Sequence, residues 1–173
     1  MQYPTFAEYL RAEYAGPFCA TDIVIRHLPE KKQGEVIPYS APIVLIERRN
    51  FPYGLAWPGG MGEKMTLAKN AEKEAHEETS LFAVLDSVYT PLCVLSELNQ
   101  DPRAHIASIT YTAQGYGNLK AADDAKEAHL VTVSELERLA QNEHNWSMPH
   151  HHKIATFYLA EIKRFIELEN SVK

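Results

Sequence analysis

Thr66-Leu67-Ala68-Lys69-Asn70-Ala71-Glu72-Lys73-Glu74-Ala75-His76-Glu77-Glu78-Thr79-Ser80 is the stretch on which the reading of this chain turns. Thr66 is a good helix N-cap. Leu67, Ala68, Ala71 and Ala75 recur at steps of three and four residues, which gives an apolar stripe. The spacing predicts a helix from about Thr66 to about Ser80. Glu74, Glu77 and Glu78 stand at i, i+3 and i+4 and therefore project from one face. Like charges at that spacing repel unless something neutralises them. A divalent cation does this well, and hard carboxylate oxygens suit magnesium or manganese. Taken alone, the three glutamates read equally well as a solvated acidic face. Pro58-Gly59-Gly60-Met61-Gly62, just upstream, shifts that balance. Such a loop leaves backbone unshielded, able to bring carbonyls to a metal and amides to a phosphate.

Around this helix the pattern is mixed. Phe6, Tyr9, Leu10 and Tyr14 fall at helical spacing and predict a short helix over Thr5 to Tyr14, ended by Gly16-Pro17. Cys19 to Leu28 reads as a strand, residues 29–42 as a hairpin-like loop, and Ile43 to Arg48 as a buried strand. Further strands are expected at Val84 to Val88, Leu92 to Leu95, Ile106 to Ala113 and Ala128 to Val133. Gly115 to Asn118 should break the third of these. Ser134 reads as the cap of a short helix through Ala140, with Glu137 completing a capping box. A last helix is predicted from Pro149 to Glu169, with Ile154, Phe157, Tyr158, Ile162, Phe165 and Ile166 on its apolar side. The order suggests an α/β fold, a mixed sheet between helices in an α/β/α sandwich. Residues 1–18 would form an N-terminal helical extension and 19–173 a single domain.

Length and charge narrow the function. A chain of 173 residues that is 45% hydrophobic and 23% charged suits one soluble domain. No stretch approaches the roughly 20 apolar residues of a membrane span, and the first residues do not read as a secretory signal. Cys19 and Cys93 fit no zinc or redox spacing, so buried free thiols in the cytoplasm are expected. The net charge of −6 argues against nucleic acid as a partner. It also argues for divalent metal in any phosphate-binding site, since a bound cation reverses the local sign.

Lys73-Glu74-Ala75-His76-Glu77-Glu78-Thr79-Ser80-Leu81, with Pro58-Gly59-Gly60 before it, resembles the signature of the Nudix hydrolase family. That signature is Gly, five residues, Glu, seven residues, then Arg-Glu-aliphatic-any-Glu-Glu-any-Gly-aliphatic. Thr21 to Ile25, Val44 to Arg49, Asp101 to Ile106, Asp124 to Val131 and Met148 to Ile154 extend the likeness, most closely to ADP-ribose pyrophosphatase-type members. Lys73 stands where the signature has Arg, which loses the planar fork. Ser80 stands where it has the helix-ending Gly. Counted from Gly60, the glycine-to-helix segment is one residue short; counting back from Lys73, the first signature glutamate falls on Met65, with Glu63 as the stand-in. Leu98 occupies a position where many ADP-ribose-type members carry proline.

The resemblance implies hydrolysis of the pyrophosphate linkage in a nucleoside diphosphate joined to another moiety, with an ADP-ribose-like compound favoured. It implies a Nudix-like fold and a magnesium cofactor, with manganese as the alternative. Glu74, Glu77 and Glu78 would be the metal ligands and the Gly59 carbonyl a fourth. Glu74 and Glu77 would carry catalysis, with Asp124, from the group Asp123, Asp124 and Glu127, as the base or water-positioning acid. Arg103, Arg49 and Gly60 would contact the substrate. Arg103 reads equally as an ion pair with Asp101. Phe51, Tyr53 and Trp57 read as base-stacking or as packing residues. His150-His151-His152 invites a zinc reading, but consecutive histidines cannot all face one ion, so surface or polar-packing roles are expected. The alternative function is a nucleotide-sensing module of the same family that binds and hardly hydrolyses. The acidic charge and the end of the chain after the last helix read against an added DNA-binding domain. Relatives are often dimers, and the N-terminal helix suits either a homodimer interface or a cap on the sheet.

Overall fold

The computed structural model describes residues 5, 8, 16–30 and 37–171. Its layers follow from the apolar strands. Strand β1 (Phe18–Leu28) sends Ile23 and Ile25 to one face and Val24 to the other. Strand β2 (Ile43–Arg48) sends Val44 one way and Ile43 and Leu45 the other. Both faces are covered, which is why these strands read as unbroken apolar runs. Helix α1 (Leu67–Thr79) covers the first face through Ala68, Ala71 and Ala75. Helices α2 (Val133–Leu139) and α3 (Pro149–Ser171) cover the second through Leu136, Ile154, Tyr158 and Ile162. Trp57 and Trp146 stack in that second core with ring centroids 5.7 Å apart. The expected α/β/α sandwich is present.

The eight-stranded sheet adds β3 (Leu55–Ala56), β4 (Gly59–Met61), β5 (Phe82–Leu85), β6 (Cys93–Leu95), β7 (Ile106–Tyr116) and β8 (Ala125–Val131). Its main order is β3-β2-β1-β7-β5, with β4 on β1, β6 on β7 and β8 on β2. Strands β1 and β7 are parallel along their whole length, from Phe18↔Ile106 to Leu28↔Tyr116. The other pairs are antiparallel. The second edge of β1 is divided. Ala20 to Asp22 pair with β4, and Arg26 pairs with β2. The glycine-rich loop is therefore stitched to the sheet as a short strand, directly upstream of α1.

Several sequence expectations shift. Strand β7 runs through Gly115 to Tyr116, and the break falls at Gly117, where φ is +108°. Gly115 is needed inside the strand because a Cβ there would collide with Ile25 Cγ2. The strand expected from Val84 is Phe82–Leu85, and the one expected from Ala128 begins at Ala125. The capping box of α2 is Thr132 with Glu135, two residues before the expected Ser134 and Glu137. Phe157 is 49% exposed and lies off the apolar stripe of α3. Both cysteines are free thiols, but Cys19 is exposed rather than buried. The expected N-terminal helix lies outside the described residues apart from Thr5 and Glu8. Among the described residues, no helix is long and apolar enough to cross a membrane.

The ends of α1 behave as the sequence requires. Thr66 Oγ1 accepts the Lys69 N–H at 3.3 Å. Ser80 takes the left-handed conformation at φ 60°, and its N–H bonds to His76 O at 2.8 Å. Serine thus fills a position that glycine adopts at lower cost. Ser80→Gly is expected to raise unfolding stability by about 0.5–1 kcal/mol, read as a higher urea midpoint at unchanged slope.

Candidate functional site

The last two turns of α1 face the glycine loop. Glu78 is 2% exposed, and its carboxylate accepts the Gly59 N–H at 2.8 Å. Burial pushes the Glu78 carboxyl up to about 8; the Gly59 bond opposes this, and the charges of Glu74 and Asp124 add to it. Glu74 is half-buried beside Gly60, where a Cβ would come within 2.6 Å of its carboxyl carbon. Its pKa is also raised, by burial first, with Lys73 opposing. Gly59 itself pairs with Asp22 across β4 and β1, and a Cβ there would meet the backbone of Thr21 and Asp22. Only glycine lets the loop approach the sheet this closely.

Lys73 organises the outer part of the acidic face. Its Nζ lies 2.5 Å from Glu77, 3.1 Å from Glu63 and 3.5 Å from Glu74. The Glu77 bond and the Glu63 bond hold the ammonium firmly in its charged form. Glu63 therefore reaches the acidic cluster, while Met65 is 39% exposed. The three glutamates have different partners: Glu78 turns to Gly59, Glu77 to Lys73, and Glu74 lies between Gly60 and Lys73.

A cleft opens beside Gly59 and Gly60, with Arg48, Arg103 and Asp124 among its walls. Asp124 Oδ1 accepts from Asn50 Nδ2 at 3.0 Å. The loop carrying Asp124 is fastened to the end of α1 by Lys120 N–H to Thr79 O at 3.0 Å and Ala122 N–H to Glu78 O at 3.1 Å. Arg103 grips Asp101 with two bonds, Nε at 3.0 Å and Nη2 at 2.7 Å. Burial raises the Asp101 carboxyl, but the Arg103 contacts together outweigh it and hold the group below its usual range. The basic residue at the end of β2 that lines the cleft is Arg48, not the expected Arg49, which is exposed and donates to Ala125 O at 3.2 Å. Trp57 is core, whereas Phe51 and Tyr53 are exposed and meet edge-on at 6.2 Å.

Sequence reasoning did not find three buried groups in the same cleft. Asp22 is 5% exposed, His150 4% and His151 2%. The histidines were expected at the surface or in polar packing without a metal-type partner; Asp22 of β1 supplies one. His152 turns away to Ala140 O at 2.7 Å. The only sequence signal was an acid placed inside the apolar run Thr21 to Ile25.

The glutamate face offers oxygen donors of the kind a hard divalent ion takes, although Glu74, Glu77 and Glu78 are not drawn into one cluster as Asp22, His150 and His151 are. A carboxylate buried far enough to be pushed to about 8 lacks compensating charge. Further carboxylates stand beside it, and all the donors are oxygen.

No family model matches the chain. An ADP-ribose pyrophosphatase of Methanocaldococcus jannaschii is 38% identical over 109 residues, 61% of this chain and 63% of that protein. The chain thus spans less than two thirds of that relative's length. The crystal structure of a MutT/nudix family protein from Enterococcus faecalis matches at a TM-score of 0.53 and 26% identity, over 74% of this chain and 51% of that one. The NUDIX domain of Shewanella oneidensis NrtR, solved with ADP ribose, shares the fold at a TM-score of 0.63 and 16% identity, over 91% and 99% of the two chains.

The Glu78 shift has a signed consequence. An unfolded glutamate titrates near about 4.3, so between there and about 8 the folded chain holds a proton that the unfolded chain has lost. This group's contribution to stability is complete below the unfolded value and is lost as pH rises through about 8. In chelator, Glu78→Gln should melt close to the parent at about pH 5 and increasingly above it toward about pH 9. A constant difference across that range in thermal melts would disprove the assignment.

Proposed function

We propose that this chain is a Nudix hydrolase, a reading that its likeness to an ADP-ribose pyrophosphatase and to a MutT/nudix family protein supports, and that it hydrolyses the pyrophosphate linkage of a nucleoside diphosphate joined to another moiety, with ADP-ribose as the favoured substrate. The observation that carries the proposal is the buried Glu78 carboxylate held against Gly59 at the edge of the cleft, with Glu74 and Glu77 on the same helix face. The kinship with an ADP-ribose pyrophosphatase supports the choice of substrate.

In this reading Glu74, Glu77 and Glu78, with the Gly59 carbonyl, hold magnesium or manganese. When bound, the ion offsets the charge of the pyrophosphate, polarises phosphorus and lowers the pKa of its water. Glu78 must give up its proton to serve as a ligand, and Glu77 must exchange Lys73 for the ion. Asp124 orients the attacking water and accepts its proton; it stands near enough to Glu78 to raise that group's pKa. Arg103, held in place by its two bonds to Asp101, presents its remaining N–H groups to phosphate or ribose hydroxyls. Arg48 supplies positive charge at the cleft wall. Gly60 leaves room beside Glu74, and Arg49 steadies the Asp124 segment through Ala125.

The test is release of AMP and ribose 5-phosphate from ADP-ribose in magnesium. Turnover should vanish with chelator. Glu77→Gln should lower kcat/KM by more than about 100-fold without changing the circular dichroism spectrum. Asp124→Asn should lower kcat by about 10²- to 10⁴-fold. Tight binding of ADP-ribose with no turnover on any nucleoside diphosphate derivative would show a sensor instead of an enzyme.

A further inference from the structure

We propose that Asp22, His150 and His151 form a second cation site, separate from the glutamate face, that takes a divalent transition metal such as zinc, cobalt or iron. Asp22 comes from β1, and the two histidines from the first turn of α3. One donor atom from each lies within 4.8 Å of the others.

The three groups face one another without bonding directly. His150 Nε2 lies 3.8 Å from Asp22 Oδ2, and His151 Nδ1 lies 3.8 Å from Asp22 Oδ1. Both gaps exceed hydrogen-bond length. Buried polar groups normally find partners, so a ring of three with open gaps calls for something at its centre. Metal–imidazole bonds of about 2.0–2.1 Å place tetrahedral ligands roughly 3.3 Å apart. Each 3.8 Å gap exceeds that by about half an ångström, and the donor atoms as a set lie within 4.8 Å of one another.

The surroundings match a metal's needs. His150 Nδ1 lies 3.2 Å from Gln100 O. It donates there, which leaves the Nε2 lone pair toward Asp22; this is the outer contact that metal-bound histidines usually make. Burial lowers the His151 pKa well below its usual value, and the charges of Arg48 and Arg103 lower it further. Its Nδ1 receives only a long 3.4 Å bond from the Trp57 N–H, and its Nε2 has no partner. Ser108 donates to Asp22 Oδ2. The two rings stand side by side, with centroids 4.3 Å apart. Two imidazoles and one carboxylate select a transition ion over magnesium, and three protein ligands leave a position open to the cleft. The start of α3 and Arg48 oppose a cation, whereas the charge of Arg103 is answered by Asp101.

Gly59 separates the two sites. Its N–H meets Glu78, and it pairs with Asp22 on the neighbouring strand. The sites can therefore be told apart by metal type. Chelator-stripped full-length protein would be titrated with Co²⁺ in excess Mg²⁺ and without substrate, reading the visible absorption of cobalt and the bound equivalents by dialysis. One equivalent with a nitrogen-ligand band is expected. Asp22→Asn and His150→Gln should weaken it by about 10- to 100-fold or more, while Glu77→Gln should keep it. The proposal fails if wild type shows no such band or a thiolate band from Cys93, or if the band survives His150→Gln. It fails equally if His150→Gln leaves cobalt bound and raises only the KM for a nucleotide. Should both variants misfold by circular dichroism, the band of the unaltered chain decides, since all-oxygen coordination there would place cobalt on the glutamate face.

Discussion

The bond from the Gly59 amide to the Glu78 carboxylate is the contact on which the site depends. It joins the glycine loop to the last turn of α1, while the loop is paired to β1. Helix, loop and sheet are thus tied together at an ionisable group rather than only through the alanines of α1. Placing a carboxylate there is unfavourable in a low-dielectric interior, and one amide only partly offsets the cost. The loop is consequently fixed against the helix while the charge of the buried group is left largely uncompensated, which suits the cation proposed above.

The chain's negative charge bears on the same point. At −6, its overall field repels a pyrophosphate. Attraction has to be local, and the basic side chains of the cleft are few. Arg103 is already engaged with Asp101, which leaves Arg48 as the less committed guanidinium. Under the proposed function, positive charge brought in as metal would be the remaining source, acting on the side of the cleft where Glu78 and Glu74 lie.

What the sequence disclosed divides along chemical lines. The boundaries of α1 were legible because Thr66 and Ser80 are local signals, each decided within one turn. Strands β1 and β2 were legible because apolar runs of that length have few other uses. The cap of α2 misled because Thr132-Val133-Ser134-Glu135 and Ser134-Glu135-Leu136-Glu137 both satisfy the capping-box pattern, and sequence alone does not rank them. Gly115 read as a breaker because its reason, contact with Ile25, lies on a neighbouring strand. The meeting of Asp22 with His150 and His151 was hidden for the same reason on a larger scale. Strand β1 and helix α3 are far apart in the chain, and no spacing rule connects them. Glu63 was identifiable as a stand-in for Met65, but only the folded loop brings it to Lys73.

The two amides of the 117–124 loop that cap α1, Lys120 on Thr79 and Ala122 on Glu78, constrain more than the helix end. They fix the offset between Asp124 and the glutamates by main-chain length rather than by side-chain reach. The spacing is therefore indifferent to side-chain identity at positions 120 and 122 and sensitive to residue count. Lineages of this protein should tolerate point changes at positions 120 and 122, yet hold the loop's length constant.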